Sequence, residues 1–540
     1  MVKKLKPGKV MSPKIKYTVE SKTTWYRLLV IGLLLAFVSL SCSIGMLSQS
    51  DPLFIPPGKG IIWTASPNPT LLVTSPTPDP PSLPPSSTPV PEDPTPTSEV
   101  TELPPLLYRA QAGDTLPVVA VRFGVQPSDI TSPDPIPETA LFPPNQLLII
   151  PHRLVNTTSS QKIIPDSEVV FSPSATDFDM NAFVNQAGGY LSGYREYLGS
   201  TAWTNGADII ARVARDNSIN PRLLLALLEY QSGWVYGQPG NIAQSDYPMG
   251  KIEFGKKGLY QQLVWAVNQL SIGYYGWREG LMTEVQFSDS VVARLAPDLN
   301  AGTVALQYYL TQVYDAQGWV RALDLNNGLP ALYERMLGNP WLRALNVEPL
   351  YPPGLTQPTL ILPFLVGQLW SFTGGPHGAW EHEGARAALD FAPAGDVAGC
   401  VDSNAWVVAA ASGLVVRTGK GMVVLDLDGD GREQTGWDLI YLHLITNDRV
   451  QVGDWVETGD LLGHPSCEGG ISTGTHIHLA RKYNGEWIPA DGPTPFVLNG
   501  WIAHAGEQPY QGSLTRDGEI IQASIYGSFE SRIVRDRDNP

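Results

Sequence analysis

Residues 467–485 read CEGGISTGTHIHLARKYNG, and the fold of the C-terminal third turns on that stretch. Glycine and threonine lead into an alternation of polar and apolar residues, which is a strand pattern. Successive side chains of a strand point to opposite faces, so His476 and His478 share one face while Ile477 takes the other. Two imidazoles on one face suit a metal or a proton-transfer site; in isolation a solvated outer face accounts for them as well. The surrounding sequence decides between these readings.

Outward from it, SNAWVVAAASGLVVRTGKGMVVLDLDGDG (403–431), LIYLHL (439–444) and VQVGDWVETGDLLGH (450–464) are short strand patterns separated by Gly, Asp and Asn turns. Such spacing predicts a mainly antiparallel β domain over residues 360–495. Six of the eight histidines fall between positions 377 and 478. A catalytic zinc takes three ligands from histidine and carboxylate and leaves a fourth place for water. The candidates are His377 in TGGPHG, Asp390 in AALDFAP and one histidine of THIH. No HExxH motif occurs, so a glutamate base of that kind is not available.

GGPH, an Asp thirteen residues later in LDFAP, then YLHL, then CEGG, STG, HIH and YNG together resemble the lysostaphin-type zinc endopeptidases over roughly residues 365–495. The long His-to-Asp spacing is similar to that of their β-lytic branch. The resemblance implies zinc ligands at His377, Asp390 and His478, with His443 and His476 as a catalytic pair beside them. It further implies cleavage of peptide bonds in the stem peptides or cross-bridges of peptidoglycan, often next to glycine. Gly469, Gly470 and Gly474 would leave room for such a peptide, and they also suit tight turns. The alternative is a non-catalytic peptidoglycan-binding regulator that activates another cell-wall hydrolase; such relatives lose ligands, and here every expected ligand is present.

Cys400 and Cys467 flank the site in sequence, and the chain has only one other cysteine, Cys42. In an exported protein the two would pair, as in the β-lytic branch; two buried thiols are the other reading. DLDGDGREQTGWD (426–438) sets Asp426, Asp428 and Asp430 as a calcium loop would, with Trp437 where the twelfth-position glutamate belongs. Glu433 or Asp438 would have to complete it, and a metal-free hairpin turn fits equally well. His382 and His464 read as local hydrogen-bonding residues.

At 540 residues the chain calls for several domains, and its 48 prolines and 52 glycines are unevenly spread. A net charge of −16 without basic clusters in the folded stretches excludes a nucleic-acid partner. Residues 1–27 are basic and precede the apolar run 28–47 (LLVIGLLLAFVSLSCSIGML), long enough to cross a bilayer with the basic flank cytoplasmic. Everything after it would be extracytoplasmic and membrane-anchored; lipidation of Cys42 after signal cleavage is the other reading. Residues 48–104 are a Pro/Ser/Thr-rich spacer.

Residues 105–152 read as a small α/β unit: a strand, a turn at Gly113-Asp114, a helix through Val118 to Phe123 and a closing strand. Tyr108, GDTL, Ala120, FGV and NQL to IP resemble a LysM module, which implies binding of N-acetylglucosamine-containing glycan. Residues 175–345 carry apolar residues at helical spacing, with Asn220-Pro221 as a cap and first-turn proline. This all-α, lysozyme-like region resembles a lytic transglycosylase domain. Gln231 stands before Ser232-Gly233 where that family has its catalytic glutamate, an amide cannot supply the proton for glycosidic cleavage, and neither Glu229 nor Glu253 matches the position. The expectation is an inactive helical domain, with Trp234, Trp265 and Tyr274 in its core. Residues 496–540 read as added strands with no assigned role.

Overall fold

Period-2 alternation in the C-terminal region builds one twisted sheet. The computed structural model describes residues 103–380, 383–395 and 399–537; the basic segment, the apolar run 28–47, nearly all of the spacer, Cys42 and His382 lie outside the described residues. No helix among the described residues is long and apolar enough to cross a membrane.

The chain begins with β1 (Leu106–Arg109), α1 (Leu116–Phe123) and β2 (Leu147–Ile150), the two strands pairing antiparallel. Asp114 of the GDTL turn is fully buried, accepting from the Tyr108 hydroxyl at 2.6 Å and from Arg122 at 2.7 Å. Arg122 also donates to the Trp277 carbonyl at 2.8 Å, which fastens this unit to the helices that follow.

Those helices include α2 (Gly206–Asp216), α3 (Pro221–Ser232), α4 (Leu259–Arg278) and α5 (Ala301–Thr311). Asn220 caps α3, accepting from the Arg222 amide at 3.0 Å, with Pro221 in the first turn, where its missing N–H costs nothing. Trp234, Trp265 and Tyr274 are buried. The region is not purely helical: Arg195–Leu198 pairs with Ala202–Asn205, and Glu284–Gln286 with Val292–Arg294. In the first hairpin Tyr197 lies opposite Trp203, ring centroids 5.9 Å apart, a cross-strand aromatic pair that overrides the helical reading.

The main sheet holds β3 (Leu369–His377), β4 (Ala388–Pro393), β5 (Gly413–Gly419), β6 (Met422–Asp426), β7 (Trp437–Leu442), β8 (Trp455–Val456), β9 (Ile477–Tyr483), β10 (Glu486–Trp487) and β15 (Arg532–Val534). Its order is β8-β5-β6-β7-β9-β4-β3-β15, with β10 returning along β9, and every pairing is antiparallel. Between β10 and β15 the chain forms a four-stranded sheet of β11 (Val497–Leu498), β12 (Trp501–Ala505), β13 (Gly512–Arg516) and β14 (Glu519–Gln522).

Both faces of the main sheet are dry. On one face Leu389, Phe391, Val423, Leu425, Leu439, Tyr441, Ile477 and Leu479 join Phe364, Trp370 and the apolar side of β12 and β13. On the other, Ala388, Met422, Val424, Ile440, Leu442 and Ala480 belong to the same core as α2 to α5. The small Ala388 and Ala480 let the helices come close, and polar ties finish the seam. Arg278, at the end of α4, donates to Glu486 at 2.8 Å, to Asp166 at 3.0 Å and to the Ala112 carbonyl, and so joins all three parts of the chain. Glu486 is fully buried and also accepts from Tyr274 at 3.0 Å.

Removing one partner of a buried ion pair strands the others in low dielectric, at a cost of about 3–5 kcal/mol. The Arg278→Met chain is expected to lose stability of that order in denaturant unfolding; a loss under about 1 kcal/mol, the worth of an exposed pair, would show that the junction contributes little.

Candidate metal centre

The site grows from register. β9 runs between β7 and β4, and His478 lies opposite Leu442 on one side and Asp390 on the other. Asp390 and His478 therefore point to the same face, that of Ala388 and Ala480. Register shifts in β3 between Phe372 and Gly374, and again between Gly374 and His377, bring His377 over the same pair.

The atoms converge tightly. His377 Nε2 lies 3.0 Å from His478 Nδ1 and 3.3 Å from Asp390 Oδ1, and His478 Nδ1 lies 3.2 Å from Asp390 Oδ1. All three side chains are buried, and Asp390 Oδ1 has no hydrogen-bond partner. Burial alone would raise the Asp390 pKa, but the flanking His377 and His476 hold the carboxyl well below the usual carboxylate range. Three donor atoms about 3 Å apart form the face of a tetrahedron whose centre is about 2 Å from each, the bond length zinc makes to imidazole and carboxylate. The residues fit the ion.

The other ring nitrogens are fixed from outside. His377 Nδ1 meets the Gly375 carbonyl at 2.8 Å, and His478 Nε2 meets that of Ala379 at 3.0 Å. Such carbonyl contacts set the tautomer and aim the free nitrogen inward.

Beside this triangle, His443 and His476 face each other with ring centroids 4.4 Å apart. Their Nδ1 atoms meet the carbonyls of Glu468 at 2.9 Å and Gly474 at 2.7 Å, which leaves both Nε2 atoms free. His476 Nε2 is 3.8 Å from Asp390 Oδ1. Burial, with the charges of His476 and His478, pushes His443 down to about 3, so its imidazole is neutral at neutral pH. His443 has a φ of 65°, unusual for a residue with a Cβ, and turns its ring off the end of β7 toward the site.

Cys400 and Cys467 are disulfide-bonded, Cα atoms 5.6 Å apart, tying the loop before β5 to the CEGG loop. Gly469 belongs to packing, since a Cβ there would meet the Lys420 carbonyl at 2.4 Å. His464 meets the Ala405 carbonyl at 2.7 Å and lies against Trp406, a local role. Asp426, Asp428 and Asp430 converge separately, with carboxylate oxygens within 4.8 Å of one another. In the helical region Gln231 accepts from the Tyr314 hydroxyl at 2.7 Å, Glu229 accepts from the amides of Val235 and Tyr236, and Glu253 pairs with Lys251.

One wall of the site carries no sequence signal. Tyr510, from the loop joining β12 and β13, stacks on His377 with ring centroids 4.1 Å apart, and its carbonyl accepts from the Gly375 amide at 2.8 Å. It lies in an extension without motifs, where nothing in the sequence marks it.

Residues 162–351 match a family model described as LasA, N-terminal domain. Protease LasA of Pseudomonas aeruginosa is 27% identical over 360 residues, covering 62% of this chain and 77% of the relative. The chain is LasA-like. The match to the whole relative is longer than the helical region, and the family model gives that region a kinship the transglycosylase-like reading did not name. Among solved structures, the M23 metalloprotease pseudoalterin from the deep sea matches at 24% identity and a TM-score of 0.26, over 31% of this chain and 96% of that one. The catalytic domain of lysostaphin from Staphylococcus simulans matches at 24% identity and a TM-score of 0.17, over 22% and 87%.

Gly374 is the point where the triangle is easiest to spoil. A Cβ there would lie 2.5 Å from Asp390 Oδ2, so Gly374→Ala must displace the carboxylate. The variant is expected to keep its circular dichroism and to bind zinc about 10–100-fold more weakly, the usual effect of disturbing a ligand's support; unchanged affinity in a competition titration with a chromophoric chelator would refute this.

Proposed function

We propose that this chain is a cell-wall zinc endopeptidase that hydrolyses peptide bonds in the stem peptides or cross-bridges of peptidoglycan. The observation that carries the proposal is the buried triangle of His377 Nε2, Asp390 Oδ1 and His478 Nδ1 with two free imidazole nitrogens beside it. The LasA-like sequence supports a metallopeptidase of the lysostaphin type. The substrate class rests on the motif resemblance and on that kinship.

His377, Asp390 and His478 would hold the zinc ion, which when bound supplies a Lewis acid that polarises a carbonyl and acidifies water. His476 and His443 do the remaining work. With Nδ1–H donated to backbone carbonyls, each neutral ring presents an unprotonated Nε2, which would accept a proton from water and, once protonated, hand that proton to the leaving amine. Neutral imidazole can do the first without prior deprotonation, which the burial of His443 favours. The dry sheet face and the braced CEGG loop keep these groups in place. The β1-α1-β2 unit and the helical region would hold the enzyme on glycan, and residues 28–47 would anchor it outside the cytoplasm; sequence resemblance and composition support these parts.

The test uses the full-length chain, because the helices and the sheet share a core. Zinc content and peptide release from purified peptidoglycan are measured for the wild type, His377→Ala and His443→Ala. Stoichiometric zinc and peptide release are expected, both lost in His377→Ala. In His443→Ala zinc is retained and kcat falls about 10²–10⁴-fold, the worth of a general acid or base. Folded protein that takes up no zinc and stays inert after zinc addition would leave the non-catalytic regulator standing.

A further inference from the structure

The second convergence of carboxylates lies on the loop between β6 and β7. Asp426 is fully buried, and its oxygens accept from the amides of Asp428 at 3.1 Å, Gly429 at 3.2 Å and Gly431 at 2.7 Å. The loop thereby wraps so that oxygens of Asp426, Asp428 and Asp430 lie within 4.8 Å of one another, twice a calcium–oxygen bond length. Aspartates arranged this way are common without an ion, so the cluster alone decides nothing.

The deciding residue is on the neighbouring strand. Asp438 stands directly opposite Asp426 in the β6–β7 register, so both side chains leave the sheet on the same face. Asp438 is fully buried, and neither of its carboxylate oxygens has a hydrogen-bond partner. The Lys482 ammonium, 3.9 Å away, is beyond hydrogen-bonding reach and already donates to Glu433 at 3.0 Å. Asp428 folds toward this strand: a Cβ on Gly436, two residues before Asp438, would meet its Oδ2. Two unpartnered buried oxygens beside other carboxylates are costly unless a proton or a cation joins them.

The structure also settles which residue stands in for the missing twelfth-position glutamate. Glu433 is consumed by Arg417, at 2.5 and 2.9 Å, and by Lys482. Trp437 turns its ring to Tyr483, centroids 5.2 Å apart. Asp438 alone has free oxygens. We propose that Asp426, Asp428 and Asp430, joined by Asp438 from just outside their cluster, form a calcium site on the β6–β7 hairpin, separate in place and chemistry from the candidate zinc site. The donors are all hard oxygens, which select calcium over zinc. Along β7 the site lies four residues from Leu442, the neighbour of His478. Its role is structural, closing the hairpin whose Glu433 holds Arg417 of β5, which in turn reaches Asp216 at the end of α2.

The test is calcium binding by the zinc-loaded, full-length chain, read by calorimetry, by thermal midpoint and by terbium luminescence excited through Trp437. Expected are saturable calcium binding, a midpoint that rises with calcium concentration, and terbium emission that calcium displaces. Asp430→Asn, at an exposed position that leaves the core intact, is expected to weaken binding about tenfold or more by removing a charged ligand. Asp438→Asn is expected to weaken it similarly. Absence of calcium binding and of terbium emission in folded wild type would overturn the site. Wild-type affinity in Asp438→Asn would overturn the assignment of Asp438.

Discussion

Everything at the candidate metal centre depends on the pairing of β4 with β9. Because strand side chains alternate, one register sets Asp390 beside His478 on the helix-facing side, and a slip of one residue would send both into the apolar core beneath. The apolar neighbours forbid that slip: Leu389, Phe391, Ile477 and Leu479 are all buried on the opposite face. Hydrophobic burial in this way fixes the relative position of two candidate metal ligands far apart in sequence. His377, held by the irregular end of β3, and His443, turned by its left-handed backbone, are added to that fixed pair.

The same constraint explains why the helices belong to the sheet. An antiparallel sheet can leave one face to water, but here the face carrying the histidines also carries Met422, Val424, Ile440 and Leu442, and α2 to α5 cover them. Ala388 and Ala480 keep the surface low enough for that contact, and Arg278, Glu486 and Asp166 pin it electrostatically. The low-dielectric surroundings that shift the site histidines thus come partly from outside the strands that bear them.

Much of the site was legible in the sequence because its motifs are local. GGPH, LDFAP, YLHL and HIH each mark a strand end, and the structure gathers His377, Asp390, His443, His476 and His478 into one cluster. The antiparallel β character of the C-terminal region was legible from alternation, and the pairing of Cys400 with Cys467 from motif resemblance. What stayed hidden depends on long-range contact. Tyr510 reaches His377 from a loop with no pattern, and the orphaned state of Asp438 shows only once Glu433 is seen to be taken by Arg417 and Lys482. In the helical region periodicity marks the helices, whereas the meaning of Gln231 rests on a transglycosylase-like resemblance that the LasA-like match does not name. Gln231 is half-buried and accepts a hydrogen bond from Tyr314.

The disulfide has a topological meaning of its own. Joining Cys400 to Cys467 turns the intervening chain into a covalent ring that contains β5, β6, β7 and β8, the aspartate loop and His443. A single cut by a foreign protease anywhere in that ring opens it without releasing a fragment, and the pieces stay joined through sulfur and through the sheet. Four of the nine strands of the main sheet thereby stay attached after a nick in that ring.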